Sequence, residues 1–321
     1  MKIDPHVHCR DEEQSYKATI ASTLELAHRQ GVDEIFDMPN TFRPVTIEDR
    51  VNERLKLVPA GEETNYYLYL GVTANPAQLR EAVRCHQQYP QVIGLKMFVG
   101  RSVGNLAIVE YSEQRIVYQT LTDLSYDGVL AVHCEKENCL IPHLWNPNFP
   151  MSHSWVRPVA AEEQSVLEQI AFAEATNFPG TLHICHISLK NSVNLVKLAR
   201  RRGKIRISCG VTPHHIIWNY HKMERRDGLR YKINPPLRSP NSTQALKEYL
   251  LAGDIDWIES DHAPHTNLEK IKPPYLSGYP SLTLYRNFVE EYLPRLGLTE
   301  EQIRALTHGN IIKVFSPKLQ S

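Results

Sequence analysis

The sequence predicts a single α/β domain folded as a (β/α)8 TIM barrel, with any site at the C-terminal ends of its strands. Short β-branched runs alternate with amphipathic helical segments about eight times along the chain. A length of 321 residues suits one large domain of this kind. No linker, internal repeat or low-complexity tract divides it. A doubly wound open sheet is the competing arrangement. The expectation is one domain over residues 1–321.

In chain order, the strand candidates are Met1–His8, Val32–Met38, Tyr66–Val72, Ile93–Val99, Gly128–His133, Thr181–Ile187, Ile205–Gly210 and Ile255–Asp261. Between them, Ser15–Gln30 reads as a helix closing on Gly31, and Thr46–Val58 as one ending before Pro59. Pro76–Gln88 starts on a proline, which the first helical turn tolerates. Tyr111–Tyr126, Ala161–Thr176, Lys190–Arg202 and Ser242–Leu251 follow. Two further helices end the chain, Ser281–Leu296 and Glu300–Phe315, the second opened by Thr299 as N-cap. The long irregular stretches Leu140–Pro158, Ile217–Pro240 and His262–Pro280 fall after strands five, seven and eight, where a barrel carries its functional loops.

Composition narrows the function classes. Lys+Arg and Asp+Glu both total 36, so the formal net charge is zero and offers no attraction to nucleic acid or an anionic membrane. No run of about 18 apolar residues is present, and the first residues form a strand, not a basic-then-apolar leader. The six cysteines lack a C-x-x-C and the dense spacing of a disulfide scaffold, which points to reduced thiols and a cytoplasmic location. They read as small core residues.

The chemistry collects at strand ends. In Asp4-Pro5-His6-Val7-His8-Cys9-Arg10, strand alternation puts His6 and His8 on one side. Two such imidazoles suit zinc, iron or nickel. In a chain with 15 histidines an isolated His-x-His also arises by chance, so the other ligands decide. They recur at matching places: Asn40 after strand two, Lys96 in strand four, His133 ending strand five, His186 in strand six and Asp261 ending strand eight. His183 and His186 stand three apart, so on a regular strand they face opposite sides; His186, nearer the C-terminal end, is assigned to the site and His183 to packing. An uncompensated ammonium at Lys96 in an apolar strand is costly. It either snorkels to the rim or reacts with carbon dioxide to become a metal-bridging carbamate, and four histidines with one carboxylate favour the carbamate. Asp261 beside such metals serves as ligand and general base.

These segments resemble the cyclic amidohydrolases of the amidohydrolase superfamily, the dihydroorotase family in particular. The likeness runs in order through Asp4-Pro5-His6-Val7-His8-Cys9-Arg10, Met38-Pro39-Asn40-Thr41, Gly94-Leu95-Lys96, His133-Cys134-Glu135 and His183-Ile184-Cys185-His186. It continues through Val211-Thr212-Pro213-His214-His215, Asn234-Pro235-Pro236-Leu237-Arg238 and Ser260-Asp261-His262-Ala263-Pro264-His265. The resemblance implies two zinc ions: one held by His6, His8 and Asp261, the other by His133 and His186, with carboxylated Lys96 bridging both. It implies that Arg10, Asn40 and His265 hold a substrate carboxylate, with Asn234 and the backbone at Gly278 as further contacts. The implied reaction is the reversible cyclisation of N-carbamoyl-L-aspartate to L-dihydroorotate in pyrimidine biosynthesis, by a metal-bridged hydroxide with Asp261 as general acid and base.

Hydantoinase, dihydropyrimidinase and allantoinase share such a cage, but their neutral rings present no carboxylate for Arg10. A non-catalytic barrel bound to a transcarbamoylase is the reading of a different kind, and lost ligands would be its mark. A homodimer is the expectation for assembly, as the commonest closed symmetry. Three departures from the family pattern stand out: Asp11-Glu12-Glu13 after Arg10, where relatives often turn on acidic-Pro-Gly; Gly210, where a carboxylate is common; and a start directly at strand one, so that the small flanking β-sandwich many relatives carry is not expected.

Overall fold

The computed structural model describes residues 1–101, 106–316 and 318–319. Eight strands form one parallel sheet in sequence order: β1 Ile3–Val7, β2 Glu34–Asp37, β3 Tyr66–Gly71, β4 Val92–Phe98, β5 Val129–His133, β6 Thr181–Ile184, β7 Arg206–Val211 and β8 Trp257–Ile258. Helices run between consecutive strands, as parallel neighbours require. The sheet closes on itself where the His8 N–H donates to the His262 carbonyl at 2.8 Å, beside a bridge between Val7 and His262. The barrel expected from the alternation is therefore the fold.

Its strands are buried on both faces and read as near-continuous apolar runs, the mark of a parallel sheet covered by helices. Outward residues such as Leu68, Leu95, Val132 and Ile184 meet the helical layer. Inward residues Phe36, Tyr67, Tyr69, Ile93, Val129 and Trp257 fill the lower barrel, and the last helix, Asn310–Phe315, closes that end. The Phe315 ring lies 5.2 Å from Phe36 and 5.9 Å from Trp257. With the bottom sealed by aromatics, polar side chains find room only at the opposite mouth.

The structure shifts several predicted boundaries. The first helix spans Ile20–Arg29, not Ser15–Gln30, because Thr19 and Ser22 cap its start reciprocally. The helix expected over Ser242–Leu251 starts at Pro240, with Ser239 as its N-cap. β6 stops at Ile184 and β8 at Ile258, short of the expected Ile187 and Asp261. The cause is local: His186 and Asp261 take positive φ values of 37° and 49°, which a pleated strand cannot accommodate. Ser281–Leu296 is a chain of short α, 3-10 and π segments rather than one helix. Thr299 does cap the last helical stretch, in a reciprocal pair with Gln302. No helix among the described residues is long and apolar enough to cross a membrane.

One buried ion pair ties β1, β2 and the helix Glu48–Leu55 together. Arg54, fully buried, donates to Asp37 Oδ2 at 2.5 Å and to the Arg10 carbonyl at 2.7 Å. Asp37 also accepts from the Cys9 N–H at 2.9 Å and the Tyr66 hydroxyl at 2.8 Å. The turn carrying Arg10 hangs from this network. Arg54→Met leaves the Asp37 carboxylate buried without its cation, and chemical denaturation should show a loss of about 3–5 kcal/mol. Asp37→Asn in the same chain should recover part of that loss, since the stranded charge is gone.

Candidate active site

The strand ends converge on one cleft at the C-terminal mouth of the barrel. His6, His8, Arg10, Asn40, His133, His186, Asn234, Asp261 and Gly278 all line it. Two of the predicted residues do not. Lys96 is fully buried beneath the cleft, with Nζ 2.9 Å from Cys185 Sγ. His265 stands behind Arg10, its Nε2 3.3 Å from the Arg10 guanidinium and 3.0 Å from the Ser277 carbonyl.

The imidazoles and Asp261 are spaced as ligands of a common ion would be. Asp261 Oδ1 lies 3.5 Å from His6 Nε2 and 3.1 Å from His8 Nε2. His133 Nδ1 lies 3.2 Å from His186 Nε2. Ligand atoms about 2.0–2.1 Å from a tetrahedral zinc are separated by roughly 3.3 Å, so these distances match its edges. His6 joins the two groups, with ring centroids 5.4 Å from His8 and 5.1 Å from His186. Among the described residues, the buried Nδ1 of His186 has no hydrogen-bond partner. The donor set of imidazoles and carboxylate therefore fits a divalent metal.

Burial, with Arg10 and His6 nearby, pushes His8 down to about 4. Burial, with His133, His6 and Lys96 close by, takes His186 well below its ordinary range. Both are neutral at physiological pH, the state in which imidazole binds a metal. His6 behaves differently. Burial and Lys96 push it down, but its contacts with Cys185 and Glu259 outweigh them and raise it to about 9. Burial would raise Asp261, yet its hydrogen bond to His8 and the nearby imidazoles bring it to about 2. It is ionised in the absence of substrate.

Three supporting groups escaped the sequence reading. Glu135, two residues after His133, accepts from Arg157 at 2.7 and 3.0 Å and lies 3.2 Å from His133 Nε2. Burial would raise its carboxyl, but Arg157 and His133 hold it well below the usual carboxylate range. Glu259, two residues before Asp261, contacts both His6 and His183. Its period-two spacing from Asp261 was the available signal.

The expectation that His183 and His186 face opposite sides is incorrect. His183 points into the barrel, 3.0 Å from Glu259 and stacked 4.4 Å from Trp257. His186 enters the same interior one level higher, because its left-handed backbone breaks the alternation. The sequence assigns His183 to packing, and the structure places it against Glu259 and Trp257.

The cleft wall comes from the long loops after β5, β7 and β8. His153 donates from Nε2 to Asn234 Oδ1 or the Ile233 carbonyl, each at 2.9 Å, which orients Asn234. Gly278 has φ 141°, and a side chain there would meet the Ala263 carbonyl at 2.6 Å, so only glycine lets the loop approach. Its N–H donates to the Lys232 carbonyl at 2.9 Å. The buried Lys270 ammonium donates to three carbonyls, Lys232, Leu276 and Gly278, at 2.7–2.9 Å. Lys270→Met strands those acceptors, and hydrogen exchange at Leu276–Gly278 should accelerate at least about tenfold while the barrel strands stay protected.

No protein-family model matches the chain. Curated relatives do. A dihydroorotase of Anoxybacillus flavithermus is 32% identical over 304 residues, 90% of this chain and 67% of the relative. One from Listeria monocytogenes is 32% identical over 315 residues, 97% of this chain and 71% of the relative. Another, from Listeria welshimeri, is 32% identical over 275 residues, and there the match spans 61% of the relative's length. Among solved structures, an L-hydantoinase from Arthrobacter aurescens superposes with a TM-score of 0.83 at 23% identity, over 98% of this chain and 70% of that one. A D-hydantoinase from Thermus sp. gives 0.82 at 21% identity, over the same shares, and likenesses at this level speak for the fold alone. By its sequence relatives, the chain belongs to the dihydroorotase family of cyclic amidohydrolases.

Proposed function

We propose that this protein is a zinc-dependent dihydroorotase that interconverts L-dihydroorotate and N-carbamoyl-L-aspartate. The observation that supports this most is Arg10, a nearly fully buried guanidinium in the cleft wall beside the imidazole cluster. A desolvated, always-charged fork suits a substrate carboxylate, which dihydroorotate has and neutral cyclic imides lack. Family membership supports the reaction class.

In this reading His6, His8 and Asp261 would hold one zinc and His133 and His186 a second, and Lys96, once its amine had added to carbon dioxide and lost a proton, would serve as a ligand to both. When bound, the metals supply Lewis-acid polarisation of the ring carbonyl and lower the pKa of the attacking water. Water adds to that carbonyl, the bond from its carbon to the ring nitrogen breaks, and a proton passes to the nitrogen. Asp261 takes the proton from the water and delivers it, and in the cyclising direction it deprotonates the ureido nitrogen. Arg10 grips the carboxylate with Asn40 and Asn234 beside it, Gly278 lets the loop close on the ring, and His265 braces Arg10 from behind. Asn40 Oδ1 also accepts from His8 Nδ1 at 2.8 Å, linking the carboxylate end to the metal end.

Steady-state hydrolysis of L-dihydroorotate by zinc-loaded protein, beside hydantoin and dihydrouracil, tests the reading. Turnover of dihydroorotate alone is the expected result, and turnover of only the neutral rings would overturn the substrate assignment. Arg10→Met should raise KM for dihydroorotate about 10- to 100-fold, equivalent to roughly 1.5–3 kcal/mol for a lost charged hydrogen bond. Lys96→Ala should bind about one zinc fewer per chain by elemental analysis, and short carboxylic acids should restore part of the activity. Unchanged metal content in that variant would remove Lys96 from the centre.

A further inference from the structure

We propose that Glu259 is a positioning residue for the metal centre, and that Gly210 exists to admit it. The inference rests on the metal-centre reading above and concerns how the ligands are held.

Glu259 follows β8 directly and is 1% exposed. Its Oε1 lies 3.7 Å from His6 Nδ1, while His6 Nε2 faces Asp261 at 3.5 Å. The two edges of the His6 ring are thus divided, one toward the ligand set and one toward a carboxylate. The same Oε1 accepts the backbone N–H of His186. Oε2 accepts from Trp257 Nε1 at 3.0 Å and pairs with His183 Nε2 at 3.0 Å. One carboxylate therefore faces the side chain of one proposed ligand, on β1, just beyond hydrogen-bond distance, and accepts from the backbone of another, two residues after β6. The second contact lies at the residue whose φ of 37° turns it into the cleft.

A carboxylate behind a ligating imidazole fixes its tautomer and ring orientation and strengthens it as a ligand. Glu259 and Cys185 also stand close enough to His6 to be ligands themselves. Against that, both Glu259 oxygens are already committed to donors, and a metal there would displace the bonds from His186 and Trp257. The space for the carboxylate comes from the neighbouring strand. A Cβ at Gly210 would lie 2.5 Å from the Glu259 carboxyl carbon and 2.5 Å from Oε2. Any side chain at position 210 would push the carboxylate from its place.

The test is zinc affinity of the full-length apo protein, measured by competition with a chelating dye, with circular dichroism as the folding control. Glu259→Gln keeps the volume and should weaken binding about 10- to 100-fold. Gly210→Ala should weaken it comparably. The double variant should be no weaker than Glu259→Gln alone, because the methyl then displaces only a carboxamide that no longer supports the ligands. Wild-type affinity in folded Glu259→Gln, or losses that multiply in the double variant, would overturn the proposal. So would a thiolate charge-transfer band in the cobalt-loaded wild type that Glu259→Gln abolishes, since that makes Glu259 a ligand together with Cys185. If the affinity pattern holds while dihydroorotate is not turned over, only the substrate reading fails.

Discussion

The dominant constraint is charge burial at one end of a sealed barrel. His6, His8, His133, His186, Lys96, Asp261, Glu135, Glu259 and Arg10 are all less than a tenth exposed. A low-dielectric interior penalises each of them alone, so each must be matched by a neighbour. The pairings follow from this: Asp261 with His6 and His8, Glu135 with Arg157 and His133, Glu259 with His183 and the His186 backbone. Removing one member therefore disturbs the others through electrostatics, without any change of fold. The plug of aromatic rings beneath matters equally, because it keeps water from screening the cluster from below.

The barrel and most of the cleft were legible in the sequence for a simple reason. Chemistry-bearing residue types stood at the ends of apolar runs, and a parallel barrel brings all such ends to one face. Supporting residues were less legible, because they act from behind the ligands. Arg157 lies in an irregular stretch, 22 positions from Glu135, and nothing local marks it as that residue's partner. Glu259 was readable from its spacing to Asp261, but its role depends on a glycine some 49 positions earlier on the next strand. The side assigned to His183 failed because strand periodicity was extended past the point where the ladder ends. Element ends moved for the same reason, local capping and left-handed residues overriding the pattern.

The two kinds of likeness carry different information. Sequence similarity leads to dihydroorotases, and superposition leads to hydantoinases. The superpositions, at 23% identity or less, speak for the barrel and not for a substrate. Function is argued from the residues of the site, not from the backbone trace.

The loops of the cleft wall hold one another at least as firmly as they hold the barrel. Trp145 meets Tyr275 at 6.0 Å and carries the Lys232 ammonium 5.1 Å over its ring. Lys232 in turn donates to the Tyr275 carbonyl at 2.7 Å, and His153 reaches Ile233 and Asn234. Segments after β5, β7 and β8 are thus interlocked into one cooperative rim resting on a rigid base. Such a rim is held as a unit, so access to the cleft follows its collective stability rather than any single flap.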